Sequence, residues 1–167
     1  MKSVILPGSY DPVTLGHIAV IREAAKRFDE VYVVAFVNPE KSYTFTAEDR
    51  VKMLLLATDE FENVMVSYSD GLVIDYMREH GIDKIFKGYR NDADLAYEKM
   101  QAEWNLAHGG YETELWKCPP EIEDISSSNV RELILSGGRL DGLLSPEVVA
   151  FIISKSETPV FLENSQK

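Results

Sequence analysis

Gly8-Ser9-Tyr10-Asp11-Pro12-Val13-Thr14-Leu15-Gly16-His17 is the stretch on which the reading of the chain turns. Ahead of it, Val4-Ile5-Leu6 is a short apolar run of the kind a buried strand carries. Pro7 and Gly8 are expected to break that strand, and a helical pattern begins near Leu15. A strand that passes through a glycine-bearing turn into a helix leaves unpaired backbone N–H groups at the positive helix end. Such a place binds phosphate. Thr14 and His17, three residues apart, fall in the opening turn, where Gly16 lets a ligand approach the backbone closely. The plain alternative is a capped helix with a histidine on its surface. Ten residues in this order and context weigh toward function.

Outward from that stretch, strands and helices alternate. Ile18, Ile21, Ala25 and Phe28 recur at helical spacing, which predicts a helix from about residue 15 to 28. Val31 to Val37 reads as a strand buried on both sides, ended by the turn residues Asn38 to Ser42. Thr46 with Asp49 predicts a helix cap, and the helix is expected to run to about Thr58 with Val51, Leu54 and Leu55 inward. Val64 to Val66 is a short strand. A helix carrying Leu72, Val73, Tyr76 and Met77 follows and closes at Gly81. Ile82 to Phe86 reads as the next strand, and Lys87-Gly88-Tyr89-Arg90 as a loop.

A long helix is then predicted from about Asp92 to Ala107. Its stripe Ala93, Tyr97, Met100, Trp104, Ala107 suits a core or a subunit interface. Thr113 to Trp116 suggests a last strand. Ile125-Ser126-Ser127-Ser128 opens a helix in which serine is a favoured cap and Asn129 with Glu132 would complete a capping box. Gly137-Gly138 stops it, and Leu143, Val148, Val149 and Ile152 belong to one or two closing helices.

This alternation predicts an α/β fold: a Rossmann-like open parallel sheet with helices on both faces, in a single domain over residues 1–155. Residues 156–167 read as a polar C-terminal tail. In such sheets ligands bind outside the carboxyl ends of the strands. The segments that follow the strands would therefore gather Lys41, Lys87 and Arg90 at one edge.

Composition sets the boundaries. The 167 residues are 45% hydrophobic and 27% charged, which suits one soluble domain with its own core. The net charge of -11 argues against nucleic acid as a partner, since that affinity rests on clustered Lys and Arg. A phosphate site in such a chain has to concentrate its cations locally. No apolar run approaches membrane-spanning length and no signal-peptide core is visible. Cys118 is the only cysteine, which fits a reducing, cytoplasmic setting. Three scattered histidines and one cysteine offer no structural metal site.

Two stretches together carry a resemblance. The run Gly8 to His17 resembles the signature of the nucleotidylyltransferase superfamily, and Ile125-Ser126-Ser127-Ser128 resembles its second signature. The form of the second stretch is similar to the phosphopantetheine adenylyltransferase branch. So are Asn38-Pro39-x-Lys41, Phe45-x-x-Glu48-x-Arg50, and Gly88-x-Arg90 with Asp94, Tyr97 and Glu98. The resemblance spans roughly residues 1 to 152. It implies a Rossmann-like fold, usually in a homohexamer, and transfer of AMP from ATP to 4'-phosphopantetheine, giving dephospho-coenzyme A and pyrophosphate. Magnesium would arrive with ATP, and coenzyme A is a possible inhibitor.

By position, the resemblance implies that Ser9 contacts both acceptor phosphate and nucleotide, and that Tyr10 serves the nucleotide through its backbone. His17 would stabilise transition-state charge at the α/β-phosphates. Lys41 and Lys87 would hold the acceptor phosphate, and Val73 would line the pantetheine arm. Lys41 and Arg90 would join His17 in the catalytic set. ATP would be contacted by Gly88, Tyr89, Arg90, Glu98 and the segment Ile122, Glu123, Asp124, Ile125, Ser126, Ser127, Ser128. The plain alternatives are solvated lysines, an Arg90 pair with Asp92 or Asp94, and an exposed Glu98 beside Lys99.

These residue types suit the chemistry. A phosphate that attacks the α-phosphorus in line brings its own nucleophilic oxygen, so the protein has only to position two polyanions and stabilise equatorial charge. The chain departs from the family pattern in places: Lys87 stands where arginine is usual, Leu106 follows Asn105 where arginine is frequent, and Glu121 to Asp124 is acidic. Two other readings share the motifs. One is a sister nucleotidylyltransferase with another phosphorylated acceptor, and the other a catalytically weak nucleotide- or coenzyme A-binding protein.

Overall fold

The structure, a computed structural model, describes residues 2–156. The polar tail expected at 156–167 therefore lies, beyond Ser156, outside the described residues. Five strands form one parallel sheet: β1 (Ser3–Gly8), β2 (Glu30–Phe36), β3 (Val64–Ser69), β4 (Lys84–Tyr89) and β5 (Thr113–Lys117). Their order is β3-β2-β1-β4-β5. The connecting helices are α1 (Leu15–Arg27), α2 (Ala47–Thr58), α3 (Val73–His80) and α4 (Asp92–Gly109). A short 3-10 turn over Pro120–Ile122 precedes α5 (Ser127–Ser136), and α6 (Pro146–Ser156) closes the described chain. The open, doubly covered parallel sheet expected from the alternation is what forms.

Both faces of the sheet are buried, which explains the continuous valine-rich run in β2. Leu6, Val31, Val33 and Phe86 pack on one face with Ile21 of α1, Leu54 of α2, Val130 of α5 and Ile152 of α6. Ile5, Val34 and Ile85 pack on the other face with Met77 of α3. The predicted caps form: Thr46 accepts the Asp49 N–H, and Ser126 accepts the Asn129 N–H. Ser126, the first residue of the triplet, is the cap of α5, so Asn129 occupies the third helical position and the box with Glu132 is not built.

Three further expectations are corrected. Pro7 and Gly8 do not end β1 but continue it, paired with Val34 and Ala35 of β2. On the other side β1 pairs with β4 only at Val4↔Lys84 and Ile5↔Ile85. Proline, which has no N–H to give, thus falls where β4 has already separated. Lys87, Gly88 and Tyr89 are the end of β4 rather than a loop, in register with Leu115, Trp116 and Lys117. On α2 the buried face is Arg50, Met53, Leu54 and Ala57, while Leu55 is 53% exposed. Three consecutive leucines put apolar residues on more than one side of a helix, so their periodicity could not choose the face.

The separation of β1 from β4 positions the site. Here the chain reverses its direction of travel along the sheet, having laid β2 and β3 on one side of β1 and β4 and β5 on the other. The carboxyl ends of the two strands diverge and leave a cleft between them.

Candidate functional site

Two cavities open at that edge. The first, about 500 Å³, lies between the ends of β1 and β4 and the first turns of α1 and α5. Its walls include Ser9, Tyr10, Gly16, His17, Lys87, Gly88, Arg90, Glu98, Ile122, Ile125 and Ser126 to Ser128. The second, about 820 Å³, lies toward β2 and α3 and is lined by Lys41, Val73, Asp75 and Asn105, among others. Pro7, Gly8, Ser9, Lys87, Tyr97 and Glu98 line both. Ser9 and Lys87 therefore stand on the partition between two compartments.

The first cavity is built to receive an anion. At the start of α1, Leu15 N–H donates to Leu143 O, His17 N–H to Thr14 Oγ1, and Ile18 N–H to Thr14 O. That leaves the Gly16 N–H without a partner among the described residues. At the start of α5, the Asn129 and Val130 N–H groups go to Ser126 and leave those of Ser127 and Ser128 in the same condition. Two helix openings thus aim free donors and positive dipole ends at one space. They are close: a methyl group on Gly16 would lie 3.8 Å from Ile125 O and 3.9 Å from Ile122 O.

Side chains lock the two openings together. Ser127 Oγ donates to Pro12 O at 3.0 Å, and Arg131 donates to Asp11 O at 3.0 Å and to Ser128 Oγ at 3.1 Å. Arg131 was not singled out in the sequence. Its signal would have been position, since it lies on the same helical face as Ser127 and Ser128, four and three residues on. Tyr10 turns its ring inward, donates its hydroxyl to Leu6 O at 2.9 Å and adopts φ +49°. A non-glycine residue rarely takes that conformation, which costs about 1 kcal/mol.

His17 is half-buried in the cavity wall, edge-on to Tyr10 with ring centres 4.9 Å apart. Its Nδ1 accepts the Thr14 N–H at 3.0 Å. Burial, and behind it the charges of Lys87 and Arg90, lower its pKa from 6.5 to about 4. The imidazole is therefore neutral near pH 7, with its one proton on Nε2.

Arg90 and Lys87 are held by carboxylates rather than left loose. Arg90 binds Asp94 through Nε at 2.8 Å and Ile125 O through Nη1 at 3.3 Å, so it spans from α4 to the segment before α5. The Arg90–Asp94 pair anticipated as a plain alternative does form, but in the cavity wall. Lys87 Nζ lies 3.4 Å from Glu98 Oε1 and 3.5 Å from Pro7 O. Glu98 is thus turned to Lys87 and not toward Lys99. Lys41 lines only the second cavity. Tyr89, Glu123 and Asp124 line neither: the Tyr89 ring lies beneath Lys117 and the two acids are exposed.

Residues 5–133 match the cytidylyltransferase-like family. A phosphopantetheine adenylyltransferase from Thermobifida fusca (strain YX) is 41% identical over 148 residues, which are 89% of this chain and 90% of that one. The chain belongs to the phosphopantetheine adenylyltransferase family. Two further members are close in sequence. The phosphopantetheine adenylyltransferase of Symbiobacterium thermophilum is 43% identical over 147 residues, covering 87% of this chain and 91% of its own. That of Clostridium novyi is 36% identical over 156 residues, covering 93% and 97%.

The fold extends further than the family. A protein from Vibrio parahaemolyticus provisionally assigned as a nicotinate-nucleotide adenylyltransferase superposes with a TM-score of 0.67 at 18% identity, covering 95% of this chain and 98% of that one. What this chain and that distant structure share is the fold.

Proposed function

We propose that this chain transfers AMP from ATP to 4'-phosphopantetheine, forming dephospho-coenzyme A and pyrophosphate. One observation carries the reading. A cavity with free N–H donors from two helix openings and a neutral histidine adjoins a second, lysine-bearing cavity across Ser9 and Lys87. The triphosphate belongs in the first cavity, over Gly16, Ser127 and Ser128. The acceptor belongs in the second, its phosphate between Lys41, Lys87 and Ser9 and its arm along Val73.

An oxygen of the acceptor phosphate attacks the α-phosphorus. The new P–O bond forms as the bond to the β-phosphate oxygen breaks, and pyrophosphate leaves with that electron pair. No proton needs to be removed from the nucleophile. His17 contributes its Nε2–H to the α/β-phosphate oxygens, while Lys87 and Arg90 offset the repulsion between the anions. Each charge-assisted hydrogen bond contributes about 1.5–3 kcal/mol, so losing one costs about one to two decades in rate. Magnesium, if carried in on the ATP phosphates, would supply further neutralisation. Among the described residues no cluster of three or more His, Cys, Asp or Glu is placed to hold a metal ion, and none is assigned to it.

The finer expectations are part of the same proposal: a cytoplasmic enzyme, a homohexamer, and inhibition by coenzyme A, whose adenylyl and pantetheine halves would fill both compartments. Self-association is supported by the α4 stripe. Tyr97, Met100 and Trp104 are 54%, 60% and 45% exposed, and α4 buries no residue fully.

The test is pyrophosphate release from ATP and magnesium with 4'-phosphopantetheine, beside nicotinate mononucleotide and glycerol phosphate. Turnover with the first alone is expected. Turnover with another acceptor would identify a sister enzyme, and ATP binding without turnover a binding protein.

A further inference from the structure

Arg50 is the largest of the fully buried side chains, at 1% exposure, and it lies under the site rather than in it. A guanidinium is almost never withdrawn from water without a carboxylate beside it. Among the described residues none is within ion-pair distance of Arg50, and its Nε has no hydrogen-bond partner. What it has instead are two contacts, one on each side. Nη1 donates to the Ser9 carbonyl at 2.9 Å, and the guanidinium lies over the Tyr43 ring at 4.0 Å from its centre.

Those contacts join two of the segments that line the acceptor compartment, the Ser9 loop and the Lys41 loop. Tyr43 belongs to the loop that carries Lys41, and its hydroxyl accepts the Asn38 N–H at 2.8 Å. The carboxylate of Asp11, two residues after Ser9, accepts the N–H groups of Thr44 and Phe45, both at 2.9 Å. Asp11 is itself buried, so these bonds are shielded from water. The Ser9 loop and the Lys41 loop are thus clamped at two points, and Arg50 supplies one of them from helix α2. The nucleotide side has its own fastenings, through Ser127, Arg131 and Arg90.

We infer that Arg50 is a positioning residue for the acceptor: by bonding the Ser9 carbonyl while stacking on Tyr43, it fixes Ser9 relative to Lys41 and so sets where the acceptor phosphate sits. The inference rests on the two-compartment reading above. It requires the fork and plane of arginine, since a lysine ammonium cannot bind Ser9 O and cover the Tyr43 ring together.

The experiment uses the full chain and the variants Arg50→Met, Arg50→Lys and Tyr43→Leu, each checked for cooperative thermal unfolding. In steady state with ATP and 4'-phosphopantetheine, Arg50→Met and Arg50→Lys should both raise the acceptor KM by about ten-fold or more. ATP affinity, measured by calorimetry without acceptor, should fall by a smaller factor, about three-fold or less: Ser9 also borders the nucleotide cavity, but other bonds build the rest of that side. Amide exchange at Thr44 and Phe45 should accelerate by about ten-fold in the variants. If Arg50→Met does not fold, Arg50→Lys and Tyr43→Leu carry the same expectations. A parent-like acceptor KM in folded Arg50→Lys would overturn the inference, as would equal losses for both substrates. Should the parent itself fail to turn over, the functional reading falls. The exchange rates then decide the clamp alone, and unchanged rates at Thr44 and Phe45 would sink it.

Discussion

Thr14 and His17 fix each other reciprocally: the Thr14 N–H donates to His17 Nδ1 at 3.0 Å, and the His17 N–H donates to Thr14 Oγ1 at 3.3 Å. A backbone N–H can only donate, so Nδ1 has to be the acceptor and the ring proton has to sit on Nε2. A helix-capping device and a functional tautomer are here one arrangement. The cap also fixes the ring's orientation, so that the nitrogen left over is the one free to serve a ligand.

The first prediction concerns pH. With a folded pKa of about 4 against 6.5, His17 refuses a proton that the unfolded chain accepts between those values. Its contribution to stability is therefore fully present above pH 6.5 and is lost progressively as the pH falls toward 4. Nitrogen NMR should report an Nε2-protonated neutral ring from pH 8 down to 5. A His17 titration centred between pH 6 and 7 would contradict the geometry.

Removing the ring separates folding from turnover. His17→Ala leaves Thr14 Oγ1 as the helix cap and costs the Thr14 N–H its acceptor, a loss of about 1 kcal/mol. Cooperative unfolding should persist with a midpoint lowered by a few degrees. The kcat should fall by about one to two decades through loss of one transition-state donor. Near-normal kcat in a folded variant would take His17 out of the mechanism.

Lys87 offers a test of charge against shape. It touches Glu98 and Pro7 O at the partition between the cavities, with one ammonium to share among them and an incoming phosphate. Lys87→Met should raise the acceptor KM by about ten-fold or more. Lys87→Arg should restore parental affinity or better, since a fork can hold Glu98 and phosphate at once. Steady-state kinetics in the acceptor decide it, and an unchanged KM in Lys87→Met would show that the phosphate binds elsewhere.

The strand–helix alternation was legible because each buried strand and capped helix stated its type locally: β2 through its valines, α1, α2 and α5 through Thr14, Thr46 and Ser126. Boundaries near the site were less so. Lys87 to Tyr89 looks like a loop because a charged residue sits beside glycine, yet all three pair with β5, and Lys87 and Gly88 line a cavity as they do so. The separation of Lys41 from the nucleotide cavity, the Arg131 tie and the burial of Arg50 are products of tertiary packing. No spacing along the chain encodes them.

Gly88 sits where β4 presses on its neighbours. A methyl group there would meet Val20 Cγ2 at 2.5 Å and Cys118 Sγ at 3.1 Å. Val20 is β-branched and stiff, so the strain would push α1 away from β4 and disturb the cavity between them. Gly88→Ala should destabilise the fold by about 1–3 kcal/mol and raise the ATP KM. Shortening the obstacle in Gly88→Ala/Val20→Ala should recover much of both. Without that recovery in denaturant midpoints, the clash is not the cause.

The α4 stripe yields the last prediction. Tyr97, Met100 and Trp104 lie three and four residues apart along one helix face and are all about half exposed. Trp104 also stacks on His108 with ring centres 4.1 Å apart, which extends the flat apolar surface by one more turn. A contiguous apolar strip of this kind is a candidate contact surface for another protomer. Because α4 buries none of its residues fully within the described chain, a charge on the strip should leave the protomer folded. Met100→Glu should therefore convert an assembled species to monomers in light scattering, with far-UV dichroism unchanged. Tyr97 and Glu98 also line the cavities from the same helix, so dissociation should raise KM for acceptor as α4 loses its support. An assembly of parental mass in Met100→Glu would mean that another face holds the subunits together.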